Sequence, residues 1–181
     1  MIRVVGGTHK GRRLATVPGR GTRPSSSLVR KALFDIAREH VGGRVLDLFS
    51  GTGAIALEAL SRGAPAAVAI EAARPAAATI ARNAEALGEA SRLTVVQGDV
   101  LAELARPAPG WAGDGPFSLI YADPPYMFEE WEPLIALATR YLEPGGMLAV
   151  EHGGGSALAG RGRDYKYGGS VISVIPHGST G

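Results

Sequence analysis

The chain has 181 residues, of which 45% are hydrophobic and none is cysteine, so it suits one domain with a sizeable core and excludes a disulfide framework or a thiolate metal site. The net charge is only +2, but residues 1–44 carry ten basic and two acidic side chains, and this local charge of +8 indicates a polyanionic partner such as nucleic acid rather than a merely solvated surface. No apolar run approaches the roughly 18 residues of a membrane span, and the start MIRVVGGTHKGRR lacks a signal-peptide core, so we expect a cytoplasmic protein without membrane contact.

Strands and helices alternate along most of the chain. In chain order the patterns predict a strand at RVLDLF (44–49), a helix at AIALEALSRG (54–63), a strand at AAVAIE (66–71), a helix at PAAATIARNAEALG (75–88), a strand at RLTVVQG (92–98), a short helix at 99–105, a loop at 106–116, a strand at FSLIYA (117–122), a helix at EEWEPLIALATRYL (129–142), a strand at GGMLAVEH (145–152), and two strands within 164–176 that turn at Gly168-Gly169. This alternation predicts an α/β fold with a mostly parallel sheet, helices on both faces, and an antiparallel edge formed by the closing strands.

Acidic residues follow four of the predicted parallel strands. They are Asp47, Glu71, Asp99 and Asp123. Because ligands bind beyond the carboxyl ends of the strands in such folds, we expect these four side chains to line one rim. Any one of them alone could be an ordinary loop acid, but four together favour a binding site.

A glycine-rich turn follows the first parallel strand. In DLFSGTGAIA (47–56), Gly51 and Gly53 with Ala56 give the G-x-G-x-x-G/A spacing of nucleotide-binding turns, and Glu71 stands twenty positions after Gly51. An acid at the end of the second strand can accept hydrogen bonds from ribose hydroxyls. The motif alone also fits a plain strand-to-helix turn or a nicotinamide dehydrogenase.

Asp47 and Asp99 distinguish these ligands. A carboxylate at Asp47, just before the turn, would repel a pyrophosphate but tolerate a positive amino group or a sulfonium. Asp99 offers an acceptor to an adenine amino group. The pattern therefore favours S-adenosylmethionine over a dinucleotide.

The motif Asp123-Pro124-Pro125-Tyr126 follows the fourth parallel strand. Proline has a fixed φ and no N–H, and it holds the preceding residue extended, so Asp123 and Pro124 are both stiffened. The Asp123 carboxylate and the Pro124 carbonyl can then accept from the two hydrogens of a nucleobase amine and stabilise its nucleophilic, pyramidal form. Tyr126 can stack on the base. The alternative is a proline-stiffened turn with a surface acid.

With these motifs the chain resembles the bacterial RsmD family. The resemblance lies in RVVGGTHKGRRLATVPGRGTRPSSSLVRKALFDIA (3–37), DLFSGTGAIALEALSRGA (47–64) and Asp-Pro-Pro-Tyr, and it extends over nearly the whole chain. It implies a Rossmann-like class I methyltransferase with a seven-stranded sheet at 41–181, and a basic N-terminal extension of hairpin and helix at 1–40 packed on it. It also implies methyl transfer from S-adenosylmethionine to the exocyclic N2 of a guanine in 16S ribosomal RNA.

The resemblance implies roles for individual residues. Cofactor contacts would come from Asp47, Ser50, Gly51, Gly53, Glu71, Asp99, Val100 and Arg23, the last within a Thr-Arg-Pro loop. The catalytic motif would be Asp123, Pro124, Pro125 and Tyr126. Independently of the resemblance, the basic charge of residues 1–44 makes Lys10, Arg12, Arg13 and Arg30 the expected RNA contacts. The chain departs from the family at Ser27, Leu28, Ala72 and Ala73.

Further expectations concern partners and alternatives. We expect a monomer that acts on ribosomal RNA within an assembled or partly assembled small subunit, and the four histidines show no metal spacing. The alternatives are an adenine-N6 methyltransferase acting on DNA, a non-catalytic RNA-binding assembly factor of the same fold, and a nicotinamide oxidoreductase. Intact Asp123 to Tyr126 argues against the second, and Asp47 with the proline motif argues against the third.

Overall fold

A computed structural model describes residues 2–17, 27–113 and 115–176. Its strands are β1 (Ile2–Arg3), β2 (Arg13–Leu14), β3 (Val45–Leu48), β4 (Ala67–Glu71), β5 (Leu93–Gln97), β6 (Phe117–Ala122), β7 (Leu142–Gly153), β8 (Arg163–Tyr167) and β9 (Ser170–Pro176). Its helices are α1 (Ser27–Ile36), α2 (Ala54–Ser61), α3 (Arg74–Leu87), α4 (Val100–Ala105) and α5 (Trp131–Ala138), with 3-10 turns at Gly110–Ala112 and Thr139–Tyr141.

The main sheet has the order β5-β4-β3-β6-β7-β9-β8. Strands β3 to β7 run parallel, whereas β9 pairs antiparallel with both β7 and β8. The predicted seven-stranded, mostly parallel sheet with an antiparallel edge is therefore confirmed. From β3 the chain first adds β4 and β5 on one side of the sheet and later β6 and β7 on the other side. The strand order therefore reverses between β3 and β6, and ligands of open α/β sheets bind at such a topological switch point.

Two apolar layers cover the sheet. One joins the buried faces of α1, α2 and α3 to one side of the strands, and the other joins α4 and α5 to the opposite side. Ile2, Val4 and Leu14 of the N-terminal hairpin belong to the first layer. No described helix is long and apolar enough to cross a membrane.

The hairpin β1–β2 is docked on the helices by polar contacts. Thr8 N donates to Ser61 O (2.8 Å), and Val5 N donates to the buried Glu58 carboxylate (2.7 Å). A Cβ on Gly7 would lie 1.9 Å from the Ser61 carbonyl oxygen, so only glycine allows this approach. His9 Nε2 lies 2.6 Å from Glu89 Oε1. The predicted hairpin is present, and these contacts attach it to α2 and to the segment that follows α3.

The helix predicted over 129–142 is shorter than expected. It starts at Trp131, which places Pro133 in the first turn, where a missing N–H costs no helical bond. A 3-10 turn at Thr139–Tyr141 follows, and the chain is extended from Leu142, so β7 begins three residues earlier than the predicted strand.

Candidate active site

Asp47 organises the glycine-rich turn between β3 and α2. The residue is only 1% exposed, and its Oδ2 accepts both from Ser50 Oγ (2.6 Å) and from Ala56 N (3.1 Å). Ala56 is in the first turn of α2, where backbone N–H groups have no intrahelical partner. One carboxylate oxygen therefore fixes both the turn and the start of the helix.

Burial also changes the acidity of Asp47. Loss of solvent raises the pKa of this carboxyl from 3.8 to about 7, although the hydrogen bonds from Ser50 and Ala56 oppose the shift, and the charge of Glu71 adds to it. A cation placed beside this group would favour its ionised form. The site is therefore suited electrostatically to a positively charged ligand and not to a pyrophosphate.

Glu71 joins the end of β4 to the same turn. Its Oε2 accepts from Gly51 N (2.9 Å), and its Oε1 accepts from Ala73 N (2.8 Å), while the residue is 8% exposed. The spacing of twenty residues thus brings the acid into contact with the glycine turn. Each carboxylate oxygen can accept more than one hydrogen bond, so ribose hydroxyls could be bound without breaking either contact.

The two glycines of the turn differ in their surroundings. Gly53 has a φ of 77°, and a Cβ there would lie 2.8 Å from Ile80, so the residue permits close packing of α3. Gly51 has a φ of 60°, but a Cβ there would meet no described atom within 4 Å. The backbone of Gly51 therefore borders open space beside Glu71, and a cradle of this kind fits a nucleoside-containing cofactor such as S-adenosylmethionine.

Asp99 and Val100 follow β5 at the same edge of the sheet. Asp99 is exposed, and its Oδ1 accepts from Ala102 N (2.9 Å), so it caps α4. Val100 is buried in the apolar layer under α4, so its side chain is part of the core. The predicted cofactor contact of Val100 would have to come from its backbone.

The Asp123–Tyr126 motif lies next to the turn. Asp123 N donates to Leu48 O at the end of β3 (3.4 Å), and Pro124 is buried. Phe128 N donates to Pro125 O (2.9 Å), which closes a tight turn. The structure therefore brings this motif beside the end of the strand that leads into the glycine turn.

Aromatic packing holds the far side of this motif. The Phe128 ring contacts Phe49 at 5.4 Å between centroids and Trp131 at 5.0 Å. Tyr126, in contrast, is 92% exposed. A supported turn with an exposed tyrosine is suited to stacking on a flat ligand.

Two side chains that the sequence analysis did not select lie at the same rim. Tyr121 OH donates to Glu151 Oε2 at 2.5 Å, and both residues are buried. Glu151 is near the carboxyl end of β7, the neighbour of β6. The sequence analysis considered acids only at the ends of the first four predicted parallel strands. The same rule applied to the fifth predicted strand, at 145–152, would have selected Glu151.

The basic N-terminal segment divides into exposed and buried residues. Lys10, Arg12 and Arg13 are exposed, and Arg12 Nη2 donates to Ala86 O at the end of α3 (2.9 Å). Arg30 is only 3% exposed and donates to Arg3 O (2.9 Å), and burial lowers the pKa of its guanidinium. The prediction that Arg30 contacts RNA is therefore corrected, because its charge does not reach the surface.

Two other predictions concern Arg23 and metal binding. Arg23 lies outside the described residues. Within the described part of the chain, no group of three or more His, Asp or Glu side chains could hold a metal ion. His9 and His152 instead bond to Glu89 and Ser173.

Known proteins share both the sequence pattern and the fold. The model of the family described as conserved hypothetical protein 95 matches residues 2–163. Ribosomal RNA small subunit methyltransferase D of Escherichia coli K12 is 35% identical over 151 residues, which span 83% of this chain and 71% of that protein. The hypothetical protein TTHA0928 of Thermus thermophilus superposes with a TM-score of 0.81 at 29% identity, and the match covers 97% of this chain and 99% of that one.

A more distant structure shares the fold. An RNA methyltransferase from Salinibacter ruber in complex with S-adenosyl-L-homocysteine superposes with a TM-score of 0.66 at 18% identity, and the match covers 85% of this chain and 93% of that one. The family model and the Escherichia coli relative both span most of the chain. The protein therefore belongs to the conserved hypothetical protein 95 family, which is the RsmD family that its motifs indicated.

Proposed function

We propose that this protein transfers a methyl group from S-adenosylmethionine to the exocyclic N2 of a guanine in 16S ribosomal RNA. The observation that carries the proposal is the position of Asp123-Pro-Pro-Tyr126 beside the glycine turn, with Tyr126 exposed. The Escherichia coli relative is named as a methyltransferase of small-subunit ribosomal RNA, which supports the same substrate class.

The cofactor would lie over the ends of β3 and β4. Glu71 would accept from the ribose hydroxyls, the turn from Ser50 to Gly53 would border the cofactor, and Asp47 would favour its positive charge. Asp99 would lie at its adenine end. When bound, the cofactor supplies an activated methyl group on a sulfonium.

The substrate base would lie over the end of β6. The Asp123 carboxylate and the Pro124 carbonyl would accept from the target amine, whose lone pair is otherwise delocalised into the ring. These bonds strengthen as the amine pyramidalises, so they favour the transition state. Tyr126 would stack on the base, and the proton released after transfer would pass to Asp123 or to water.

The RNA backbone would contact the exposed hairpin residues Lys10, Arg12 and Arg13. They lie on a hairpin fixed to α2 and α3, so phosphate contacts there would orient the RNA relative to the pocket. Arg23 would close over the cofactor carboxylate.

We further propose a cytoplasmic monomer that acts on an assembled or partly assembled small subunit. In the described ranges the large apolar side chains that are exposed are Leu28, Tyr126 and Met127. Two of the three belong to the substrate turn, so they give little area for a stable interface between copies.

The test uses labelled S-adenosylmethionine and small subunits from a strain that lacks this activity. The parent protein should label one guanine, and Asp123→Ala should lose most of the single-turnover rate while it keeps cofactor binding. Asp35→Ala, an exposed aspartate on α1, is the matched control. In parallel reactions with DNA as substrate, label on an adenine N6 would replace this function with the first alternative. In parallel calorimetry, tight NAD binding without methyl transfer would support an oxidoreductase. RNA binding without any transfer would support an assembly factor.

A further inference from the structure

We propose, on the basis of the proposed function, that Glu151 accepts a hydrogen bond from N1–H of the target guanine and so selects guanine over adenine. Asp-Pro-Pro-Tyr binds an exocyclic amine and does not by itself distinguish the two purines. A residue that reads the ring atom next to the amine would make the distinction.

The sheet register places Glu151 beside the catalytic motif. Ala122 of β6 pairs with Val150 of the parallel strand β7. The next residues along the two strands are Asp123 and Glu151, and neighbouring strands lie about 4.8 Å apart. The two residues therefore lie beside each other at the edge of the sheet where β6 ends.

The contact with Tyr121 fixes the side of the sheet to which Glu151 points. Tyr121 precedes Asp123 by two residues, and Asp123 directly follows β6. Because Pro124 holds Asp123 extended, the alternation of the strand continues through it, and both side chains belong to the same face of the sheet. Its hydroxyl donates to Glu151 Oε2 at 2.5 Å. Glu151 is thus held on the face of the sheet that Asp123 shares.

One oxygen of Glu151 remains for a ligand. In residues 2–17, 27–113 and 115–176, Tyr121 is the only hydrogen-bond partner of the Glu151 carboxylate, and it contacts Oε2. Glu151 as a whole residue is 7% exposed. A hydrogen-bond donor placed against Oε1 would stabilise this buried carboxylate strongly. A lone pair in the same place would leave Oε1 without a partner and would be strongly disfavoured.

The two purines differ at the atom that this oxygen would meet. In guanine the ring nitrogen N1, next to the 2-amino group, carries a hydrogen, whereas in adenine N1, next to the 6-amino group, presents a lone pair. A carboxylate accepts from the first and repels the second. A site built for a hydrogen bond rejects an analogue that lacks the donor, here by roughly 100-fold or more.

The test replaces the target guanine by 2-aminopurine, which keeps the 2-amino group but has a lone pair at N1. Synthetic RNA with either base at the mapped position is ligated into the small-subunit RNA and assembled into particles. Single-turnover methylation of both particles is measured for the parent, for Glu151→Gln and for Glu143→Gln. Glu143 is at the amino end of the same strand and provides the matched control.

The parent should prefer guanine by roughly 100-fold or more. Glu151→Gln should narrow this ratio at least tenfold, because its amide can donate to the N1 lone pair, and Glu143→Gln should leave the ratio unchanged. The missing O6 of 2-aminopurine affects all variants alike, so the change in ratio isolates N1. An unchanged ratio in folded Glu151→Gln overturns the inference.

A second variant decides the matter if Glu151→Gln does not fold. Tyr121→Phe keeps the carboxylate but removes its anchor, so the ratio should narrow while cofactor affinity stays the same. An unchanged ratio in folded Tyr121→Phe then overturns the inference. Failure of the proposed function looks different, because the parent would not methylate even the guanine particle.

Discussion

The substitution Asp47→Asn should stabilise the protein increasingly as the pH rises. Both hydrogen bonds to this side chain end on Oδ2, so an asparagine oxygen in that place can accept from Ser50 and from Ala56 as before. The substitution removes only the buried negative charge. The difference in the free energy of unfolding between the variant and the parent should therefore come chiefly from the ionisation of Asp47 in the parent.

The magnitude follows from the pKa of Asp47, which burial raises from 3.8 to about 7. Between these values the folded state binds a proton that the unfolded state has released, so stability falls as the pH rises. Each pH unit in that window costs roughly 1.4 kcal/mol, and the full penalty above pH 7 is about 4 kcal/mol. From pH 5 to pH 7 the advantage of Asp47→Asn over the parent should grow by about 2 kcal/mol.

Urea unfolding of the parent and the variant at pH 5, 6 and 7 measures this difference. Asp35→Asn on the surface of α1 shows the effect of removing an exposed charge by the same substitution. A difference between Asp47→Asn and the parent that is constant across this range would refute the raised pKa. We also expect weaker binding of S-adenosylmethionine to Asp47→Asn, because the group that favours a cation is lost.

Three further outcomes test the cofactor, stacking and RNA contacts. Glu71→Ala removes the acceptor for Gly51 N and for the ribose, so calorimetry should show S-adenosylmethionine binding weakened about tenfold or more, and unchanged affinity in a folded variant would remove Glu71 from the site. Tyr126→Ala should slow single-turnover methylation while Tyr126→Phe should be nearly silent, and equal losses would argue against stacking. Replacing Lys10 and Arg13 together by alanine should reduce the log-log salt slope of RNA binding by roughly 1.4 to 1.8 with cofactor affinity kept, and an unchanged slope would move the RNA surface elsewhere.

Much of the fold followed from local patterns. Strand β6 was predicted at its observed bounds, and the turn at Gly168-Gly169 separates β8 and β9 as expected. Hydrophobic periodicity, helix-capping residues and turn residues each act over a few neighbouring positions, so their effects can be predicted from the sequence. The boundary at residue 40 stays a prediction, and the apolar layer shared by the hairpin and α2 shows that the described N-terminal residues have no separate core.

The site was predictable where the chain itself supplies the geometry. Gly51 and Glu71 are brought together by one strand–helix–strand unit, and the acids at strand ends share a rim because parallel strands end at the same edge. The sequence alone therefore determined the glycine turn with its contact to Glu71, the position of Asp-Pro-Pro-Tyr after β6, and the family. It could not show that Arg30 is buried or that Glu151 is adjacent to Asp123.

Those two features were decided only by the tertiary structure. Arg30 is buried where α1 joins the apolar layer that also contains the hairpin and one side of the sheet, and its partner Arg3 is 27 residues away. Glu151 lies beside the end of β6 because β7 pairs with β6, and its partner Tyr121 is 30 residues before it. Whether a charge meets solvent, a backbone carbonyl or a ligand depends on elements that are distant in the chain, and no pattern within a single element contains that information.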